Sequence, residues 1–325
     1  MHQKAGTILS LFRAEEGYIS GQHLSRELGV SRTAVWKHIS ALRNNGYFIE
    51  ATPSRGYRLV SSPDTIDRHE LRAHLDSTRV GSQLEFVKLT GSTNADAFRL
   101  AENSAIEGTV VLADSQTDGK GRRGRLWASP AGVNLYCSVI LRPAIMPYEA
   151  PQLTFLSAVA VARAIELTTG LTPEIKWPND LLISGKKVAG LLNEMSAETD
   201  GINFVILGIG VNLNMTADQF PKDLRHPATS ILLESGTRVD RPRFTGTMLT
   251  ELDRLYTDFQ AHGFGPVREE WQQRCNANGR QVLVNDTGTK CTGGRFVGID
   301  SDGAMLLRSD DGTMHRITCG DVRVI

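Results

Sequence analysis

Seven consecutive positions, Gly119 to Arg125, hold three glycines and four cations, Lys120, Arg122, Arg123 and Arg125, with Trp127 just beyond. Glycines let a backbone approach a ligand closely and present its N–H groups. Lysine and arginine add fixed positive charge for a carboxylate or a phosphate. The combination suits an anion. Four like charges this close repel one another, so the loop is expected to be mobile until a negative ligand orders it. A plain solvated loop is the alternative, but charged loops rarely need three interleaved glycines. Gly119, Gly121 and Gly124 also satisfy G-x-G-x-x-G. A dinucleotide fingerprint, however, needs the third glycine to open a helix and an acid about 20 residues later. Here RLWASP and VNLYCSVIL read as a turn and a strand, and Pro130 would cut a helix short. The P-loop pattern is absent as well, so the pattern argues against a dinucleotide site.

Two further clusters could do chemistry. In EIKWPNDLLISGKKVAGLLNEM, Lys176 stands beside Trp177-Pro178, where proline holds the preceding residue extended and can aim the lysine across a pocket. Asn179 and Asp180 extend that cluster. In TGSTNADA, Ser92, Thr93 and Asn94 fall at the start of a helix, offering hydroxyl and amide groups to a neutral polar ligand or acting simply as a cap. The cysteines, at 137, 275, 291 and 319, form no C-x-x-C pair and suggest neither a zinc cluster nor a dithiol site.

The elements that must position these groups fall into three segments, as expected for 325 residues. In the central body, LEFVKL, TVVLA, NLYCSVIL, the stretch ending in DLLIS, VAGLLNEM and INFVILGIGVNL read as strands. A helix is expected between Ala150 and Thr169, and a long amphipathic one from about Arg241 to Ala261, with PVREEWQQRC helical after it. From Gly279 the chain turns to short strands divided by Asn285-Asp286, Ser301-Asp302-Gly303 and Asp310-Asp311-Gly312, the punctuation of a compact antiparallel barrel.

The amino-terminal segment has helix-turn-helix punctuation. Ser20 caps a helix to Leu28, Gly29 turns, and Ser31 caps a second helix to about Arg43. Val35, Ile39 and Leu42 build its inner face and leave Arg32, Thr33, Trp36 and Lys37 outward. Two β-prone runs follow around Pro53, Ser54 and Gly56, a hairpin wing with Arg55 at its tip. Through Ser62 there are eight Lys or Arg and four acids, although the whole chain balances 36 against 36. A small helical domain for protein contacts would show similar helices. The local charge and the arginine at the tip favour DNA. Ser61-Ser62-Pro63 reads as a linker into a short helix, and with no run of about 18 apolar residues or signal-like leader, a cytoplasmic protein with no membrane span is expected.

GSTN, SQTDGKGRRGRLWASP, KWPNDLLISGKKVAGLLNE and LGIGVNLN occur in this order, and the set closely resembles the biotin protein ligases. With the helix-turn-helix and the terminal barrel, the chain resembles their bifunctional class, in which the ligase also represses biotin-synthesis genes. The resemblance covers nearly the whole chain; the glycine-arginine loop and KWPND are its specific parts together. It implies an α+β multidomain chain: a winged helix-turn-helix at 1–62, a mixed-sheet α/β catalytic domain resembling class II aminoacyl-tRNA synthetases at 63–276, and a small β-barrel at 277–325.

By that resemblance, ATP and biotin give biotinoyl-5′-adenylate and pyrophosphate, Mg²⁺ shields the leaving pyrophosphate, and biotin passes to one lysine of the biotin carboxyl carrier protein of acetyl-CoA carboxylase. Ser92, Thr93, Asn94 and Gln116 resemble contacts to biotin's ureido ring or its surroundings. Gly119, Lys120, Gly121 and Arg122 resemble the loop that orders over biotin and the adenylate. Lys176 resembles the lysine bridging carboxylate and phosphate, which makes it and Arg122 the implied catalytic pair and places both against biotin. The ATP set is Arg122, Arg125, Trp127, Lys176, Asn179, Lys187 and Asn212, while metal ligands stay unassigned. Lys120 stands where the family pattern has arginine, keeping charge but losing the bidentate fork. The adenylate-covering segment should lie near Met215 to His226, where Phe220 is the one aromatic, and Arg323 falls near a nucleotide-facing arginine of relatives. Ser31, Arg32, Thr33, Trp36, Lys37 and Arg55 are the implied contacts to operator DNA of biotin-synthesis genes, read by a ligand-promoted homodimer. Two other readings remain at this stage. One is a non-catalytic, ligand-sensing transcription factor; the other is a lipoate or octanoate transferase, which gives no reason for the basic loop or the first segment.

Overall fold

The computed structural model describes residues 2–15, 17–199, 201–285 and 291–325. By its contacts the chain divides into two compact units, Met1–Ala73 and His74–Ile325.

The first unit comprises α1 (His2–Ala14), α2 (Gly21–Leu28), α3 (Arg32–Asn44), the hairpin β1 (Phe48–Thr52) and β2 (Gly56–Ser61), and α4 (Arg68–Arg72). Its caps are those the sequence announces: Ser20 accepts from His23 N, Gly29 takes φ 58°, and Ser31 accepts from Ala34 N. The sequence reading did not assign α1, whose Ile8, Leu9 and Phe12 complete a core with Val35, Ile39 and Leu42. Glu70 of α4 is buried, and its carboxylate accepts from Tyr47 Oη at 2.6 Å and from Arg13 Nη2. A buried carboxylate needs such partners.

In the second unit the central strands are β3 (Gln83–Thr90), β4 (Thr109–Gln116), β5 (Leu135–Leu141), β6 (Glu174–Lys176), β7 (Asp180–Ile183), β8 (Lys186–Glu198) and β9 (Gly201–Val211). They form one mixed sheet in the order β3-β4-β5-β9-β8-β7-β6. The parallel pair is β3 with β4, joined by the crossover helix α5 (Thr93–Glu102); the other neighbours are antiparallel. Helix α5 covers one face through Ala97 and Ala101, packed on Val111, Ile140 and Ile206. Every residue of β5 is buried, so the other face is covered too: α6 (Gln152–Thr169) lies there, backed by α8 (Arg241–His262) and α9 (Gly265–Arg274). The short α7 (Ile231–Ser235) precedes α8.

The last strands, β10 (Gln281–Asn285), β11 (Cys291–Ile299), β12 (Met305–Arg308), β13 (Met314–Ile317) and β14 (Asp321–Val324), form an antiparallel sheet in the order β13-β12-β11-β10-β14. The expected turns at 301–303 and 310–312 are present, whereas Asp286 of the Asn285-Asp286 turn lies outside the described residues. Trp177 is buried and donates through Nε1 to Gly303 O at 3.1 Å, which ties this sheet to the loop after Lys176. No described helix is long and apolar enough to cross a membrane.

Candidate functional site

Two adjoining cavities in the second unit share a wall of Gly121, Arg122, Trp127, Asn179 and Lys187. The first is lined by Ser92, Thr93, Asn94, Gln116 and Lys120. The second is lined by Lys176, Asp180, Arg125, Asn212 and the segment containing Phe220, Arg225 and His226. The glycine loop, KWPND and the start of α5, separated by up to some 90 residues in sequence, therefore converge on one place.

Strand β9 explains why they can. A Cβ at Gly208 would lie 2.3 Å from Asn94 Oδ1, and one at Gly210 would lie 2.7 Å from the Trp127 ring. The two glycines of LGIGVN are thus the floor on which Asn94 and Trp127 rest. Trp127 Nε1 is buried with no acceptor among the described residues, and Lys187 Nζ sits 5.3 Å from the Trp127 ring centroid and 2.6 Å from Asp180 Oδ1. A buried N–H without a partner is available to a ligand.

Gly119 does not line either cavity: a Cβ there would meet Trp127 O at 2.5 Å and Ser129 Oγ at 2.7 Å, so packing within the loop requires glycine. Gly124 holds φ 72°, a turn position, and Gly121 carries the backbone to both cavities. The loop closes on itself through Gly121 N to Arg125 O and Trp127 N to Gly119 O, both 2.7 Å. Its cations are also less isolated than the sequence suggests. Asp321, at the start of β14, accepts from Arg125 at 2.9 Å and from Arg225 at 2.8 Å, with Arg123 at 4.0 Å. Burial alone would raise the Asp321 carboxyl, but Arg125 and its neighbours outweigh it and hold it below the usual range.

Arg122 differs from its neighbours. Its Nη1 donates to Asn179 Oδ1 at 3.0 Å, and burial pulls the guanidinium below its ordinary value, with Asp180 and Asp321 offsetting part of the effect. A partly buried cation in such surroundings is suited to an anionic ligand. His226 is lowered by burial and then by Lys176 and Arg225, which keeps its imidazole neutral beside the cations.

Several expected polar contacts are already engaged within the protein. Ser92 holds the cap position of α5 but makes no side-chain cap bond, so its hydroxyl is free of that role. Gln116 Oε1 accepts from Thr93 N at 2.9 Å and its Nε2 donates to Ser129 Oγ at 2.9 Å. Asn94 bonds Glu194 and Ser138, and Asn212 Nδ2 donates to Thr229 O at 3.1 Å. Asn94 and Asn212 therefore build the walls rather than offering free amides. Arg323 is exposed and does not line the second cavity; Asp321 and Val322 of that strand do. The segment Met215 to His226 expected over the adenylate thus lines the second cavity, with Arg225 and His226 not singled out from the sequence, and Asp321 was missed. Asp321 is 196 residues from Arg125, with no local pattern to mark it.

In the first unit, Arg32, Thr33, Trp36 and Lys37 are all exposed on α3, with Trp36 at 56%. Ser31 is engaged as the cap. Arg55 lies in the turn of the β1–β2 hairpin with its guanidinium 4.6 Å from the Tyr18 ring centroid, and Arg58 is 5.0 Å from the same ring. The aromatic face of Tyr18 orders the Arg55 guanidinium at the hairpin tip.

Comparison with known proteins matches each part. Residues 85–212 match the biotin/lipoate A/B protein ligase family, 5–58 an HTH domain, and 278–324 the biotin protein ligase C terminal domain. The chain is 41% identical over 321 residues to the bifunctional ligase/repressor BirA of Bacillus subtilis, covering 98% of this chain and 97% of that protein. It is 30% identical to the Escherichia coli protein of the same name, covering 90% and 88%. Among solved structures it is similar to the biotin protein ligase from Aquifex aeolicus in complex with biotin and ATP, with TM-score 0.65 and 28% identity over 75% of this chain and 100% of that one.

Proposed function

The chain belongs to the bifunctional ligase/repressor family of biotin protein ligases, and from that membership we propose how its own residues perform the two activities. It is an ATP-dependent biotin ligase and a DNA-binding repressor. The observation that carries the mechanism is the shared wall of Gly121, Arg122, Trp127, Asn179 and Lys187 between a polar cavity fit for a small ring and a cationic one fit for a nucleotide.

Biotin's ring occupies the first cavity against Ser92, Thr93 and Gln116, and its carboxylate reaches Arg122 and Lys176. The nucleotide occupies the second, with Trp127, Phe220 and His226 for the base and Arg125, Lys176 and Lys187 for phosphates. A biotin carboxylate oxygen attacks the α-phosphorus, forming the P–O bond of the acyl-adenylate as the bond to pyrophosphate breaks. The two anions repel, so the cations act by neutralising and aligning them. The carrier lysine's neutral amine then attacks the acyl carbon, forming the amide as AMP leaves with its electron pair and the nitrogen gives up one proton to the departing phosphate or to solvent. A groove past Tyr148 and Met195 also reaches Arg122 and Asn179 and gives that lysine a route.

No group of three or more metal-ligating side chains occurs among the described residues. Asp180 is the carboxylate beside Lys176, so Mg²⁺ fits here as an ion carried mainly by the triphosphate, whose charge it shields. Arg32, Thr33, Trp36 and Lys37 face the major groove of the operator, and Arg55 faces the backbone. The adenylate-bound protein dimerises on DNA, and the carrier protein belongs to a cytoplasmic carboxylase. Divisions at 62 and 276 separate DNA binding, chemistry and the terminal module by role, while α4 beyond 62 packs with the first unit, which runs to Ala73. Two finer fold readings remain in the proposal: a central body of the class II aminoacyl-tRNA synthetase type, and a terminal barrel. The connection from Ile317 to Asp321 supports the barrel. It runs between opposite edges of a five-stranded sheet, about 19 Å apart if flat, whereas four residue steps reach at most about 14 Å.

The test is incubation with biotin, ATP, Mg²⁺ and a biotin carrier domain, read by mass spectrometry. Gain of one biotinoyl group that requires all three small components supports the reading. No labelling and no bound adenylate would leave a non-catalytic sensor.

A further inference from the structure

Asn94 stands over Gly208, and the strand register places Ser138 of β5 and Leu192 of β8 on either side of that glycine. Asn94 Nδ2 donates to Glu194 Oε2 at 2.7 Å and to Leu192 O at 3.2 Å. A carboxylate and a peptide carbonyl only accept, so the amide's orientation is fixed and its Oδ1 must face Ser138. Ser138 Oγ, fully buried and 2.6 Å away, gives its single proton there. It can then only accept from Thr93 Oγ1, at 2.8 Å. The other partner in reach of that hydroxyl is Gln116 Oε1 at 3.2 Å, itself an acceptor for Thr93 N. Whichever it takes, the Thr93 proton points into the protein. What Thr93 presents to the first cavity is a lone pair.

We propose that Ser138 and Glu194, neither of which lines the ring cavity, are specificity-determining positioning residues that fix the cavity's polarity. Through Asn94 they make Thr93 an acceptor, so the site takes a cyclic urea, with N–H donors, in preference to a ring of the same shape bearing oxygen there. This rests on the reading of the first cavity as the biotin-ring site. Ordinary packing would require an apolar neighbour at position 138, whereas a buried hydroxyl with two assigned partners carries direction as well as volume.

The test titrates the full-length protein calorimetrically with biotin and with two isosteric cyclic carbamates, in each of which ring oxygen replaces one N–H. The wild type prefers biotin over at least one analogue by about 100-fold or more, since a site built to accept an N–H rejects a ligand lacking it. In Ser138→Ala the Thr93 hydroxyl loses its nearer inward acceptor, and that preference falls about 10-fold. A purely structural role would weaken all three ligands alike and leave the ratio unchanged. Glu194→Gln, half-buried and able to offer Asn94 either an oxygen or an NH₂, lowers the ratio by a smaller factor, about threefold, and decides the matter if Ser138→Ala does not fold. Biotin binding with ratios unchanged in the folded variants overturns this inference alone. Failure of the wild type to bind biotin overturns the cavity reading with it.

Discussion

Arg122→Ala separates what the loop does for the ligand from what it does for the fold. The guanidinium lines both cavities, burial pulls it below its ordinary value, and its hydrogen bond within the protein goes to Asn179 Oδ1 at 3.0 Å. If it donates two charge-assisted bonds to the carboxyl and phosphate oxygens of the adenylate, each is worth about 1.5–3 kcal/mol, or about 3–6 kcal/mol together. Release of the adenylate should then quicken by about 10²- to 10⁴-fold. The unliganded protein responds differently. Removing this partly desolvated cation relieves its burial cost, while losing the attraction of Asp180 and Asp321 and leaving one Asn179 oxygen without its donor, opposed effects of about 1 kcal/mol each. At roughly 2–4 °C per kcal/mol for a unit of this size, its melting temperature should stay within about 3 °C of the wild type. The assay forms the labelled adenylate in place, follows its loss by rapid filtration, and records melts with and without ligand. Release within about threefold of wild type, or an unliganded melt lowered by more than about 6 °C, would show that Arg122 serves the fold and refute the argument.

Gly210→Ala puts a Cβ 2.7 Å from the Trp127 ring; the ring must move at a cost of about 1–3 kcal/mol, weakening adenylate binding by about 5- to 150-fold, and an unchanged dissociation constant would remove Trp127 from the wall. Lys176→Ala should lower the rate of pyrophosphate release at saturating substrates by at least about 100-fold, and an undiminished rate would take Lys176 out of the chemistry. Arg32→Ala should weaken operator binding by about 1–3 kcal/mol in a gel-shift titration while biotin transfer continues at the wild-type rate; equal losses in both would contradict the division of labour. For Asp321, whose arginine neighbours hold its carboxyl below the usual range, the stabilisation is present above the unfolded value of about 3.9 and is lost as pH falls through the depressed folded value. The melting difference between wild type and Asp321→Asn should therefore be constant above about pH 5 and shrink toward pH 3, whereas a difference independent of pH would mean that Asp321 acts by packing.

Much of this was legible before any coordinates because it is local. Ser20, Gly29 and Ser31 announce their helices through bonds to residues three or four positions away, and Val35, Ile39 and Leu42 mark a face by spacing alone. The ligase body was legible through a resemblance carried by four motifs in order, of which the glycine-arginine loop and KWPND together are the specific ones. Helix α1 went unassigned although its apolar Ile8, Leu9 and Phe12 join the core of the first unit. The packing that requires glycine at 119 is not visible in the sequence: a glycine in a basic loop looks the same whether a ligand or a neighbouring carbonyl needs the space.

The sequence by itself determined the glycine-rich, cationic character of the loop, the helix-turn-helix and most of the order of strands and helices, since each depends on residues within a turn or two. Tertiary structure alone decided which groups face the ligands and which are used in holding the walls. Asp321 meets Arg125 and Arg225, Asn94 rests on Gly208, and Ser138 gives its proton to Asn94 only because sheet register and strand order bring them together. Hydrogen bonds and ion pairs act over about 3 Å in space and are indifferent to separation along the chain, so a polar group's partner, and with it the proton left for chemistry, is fixed only when the fold closes.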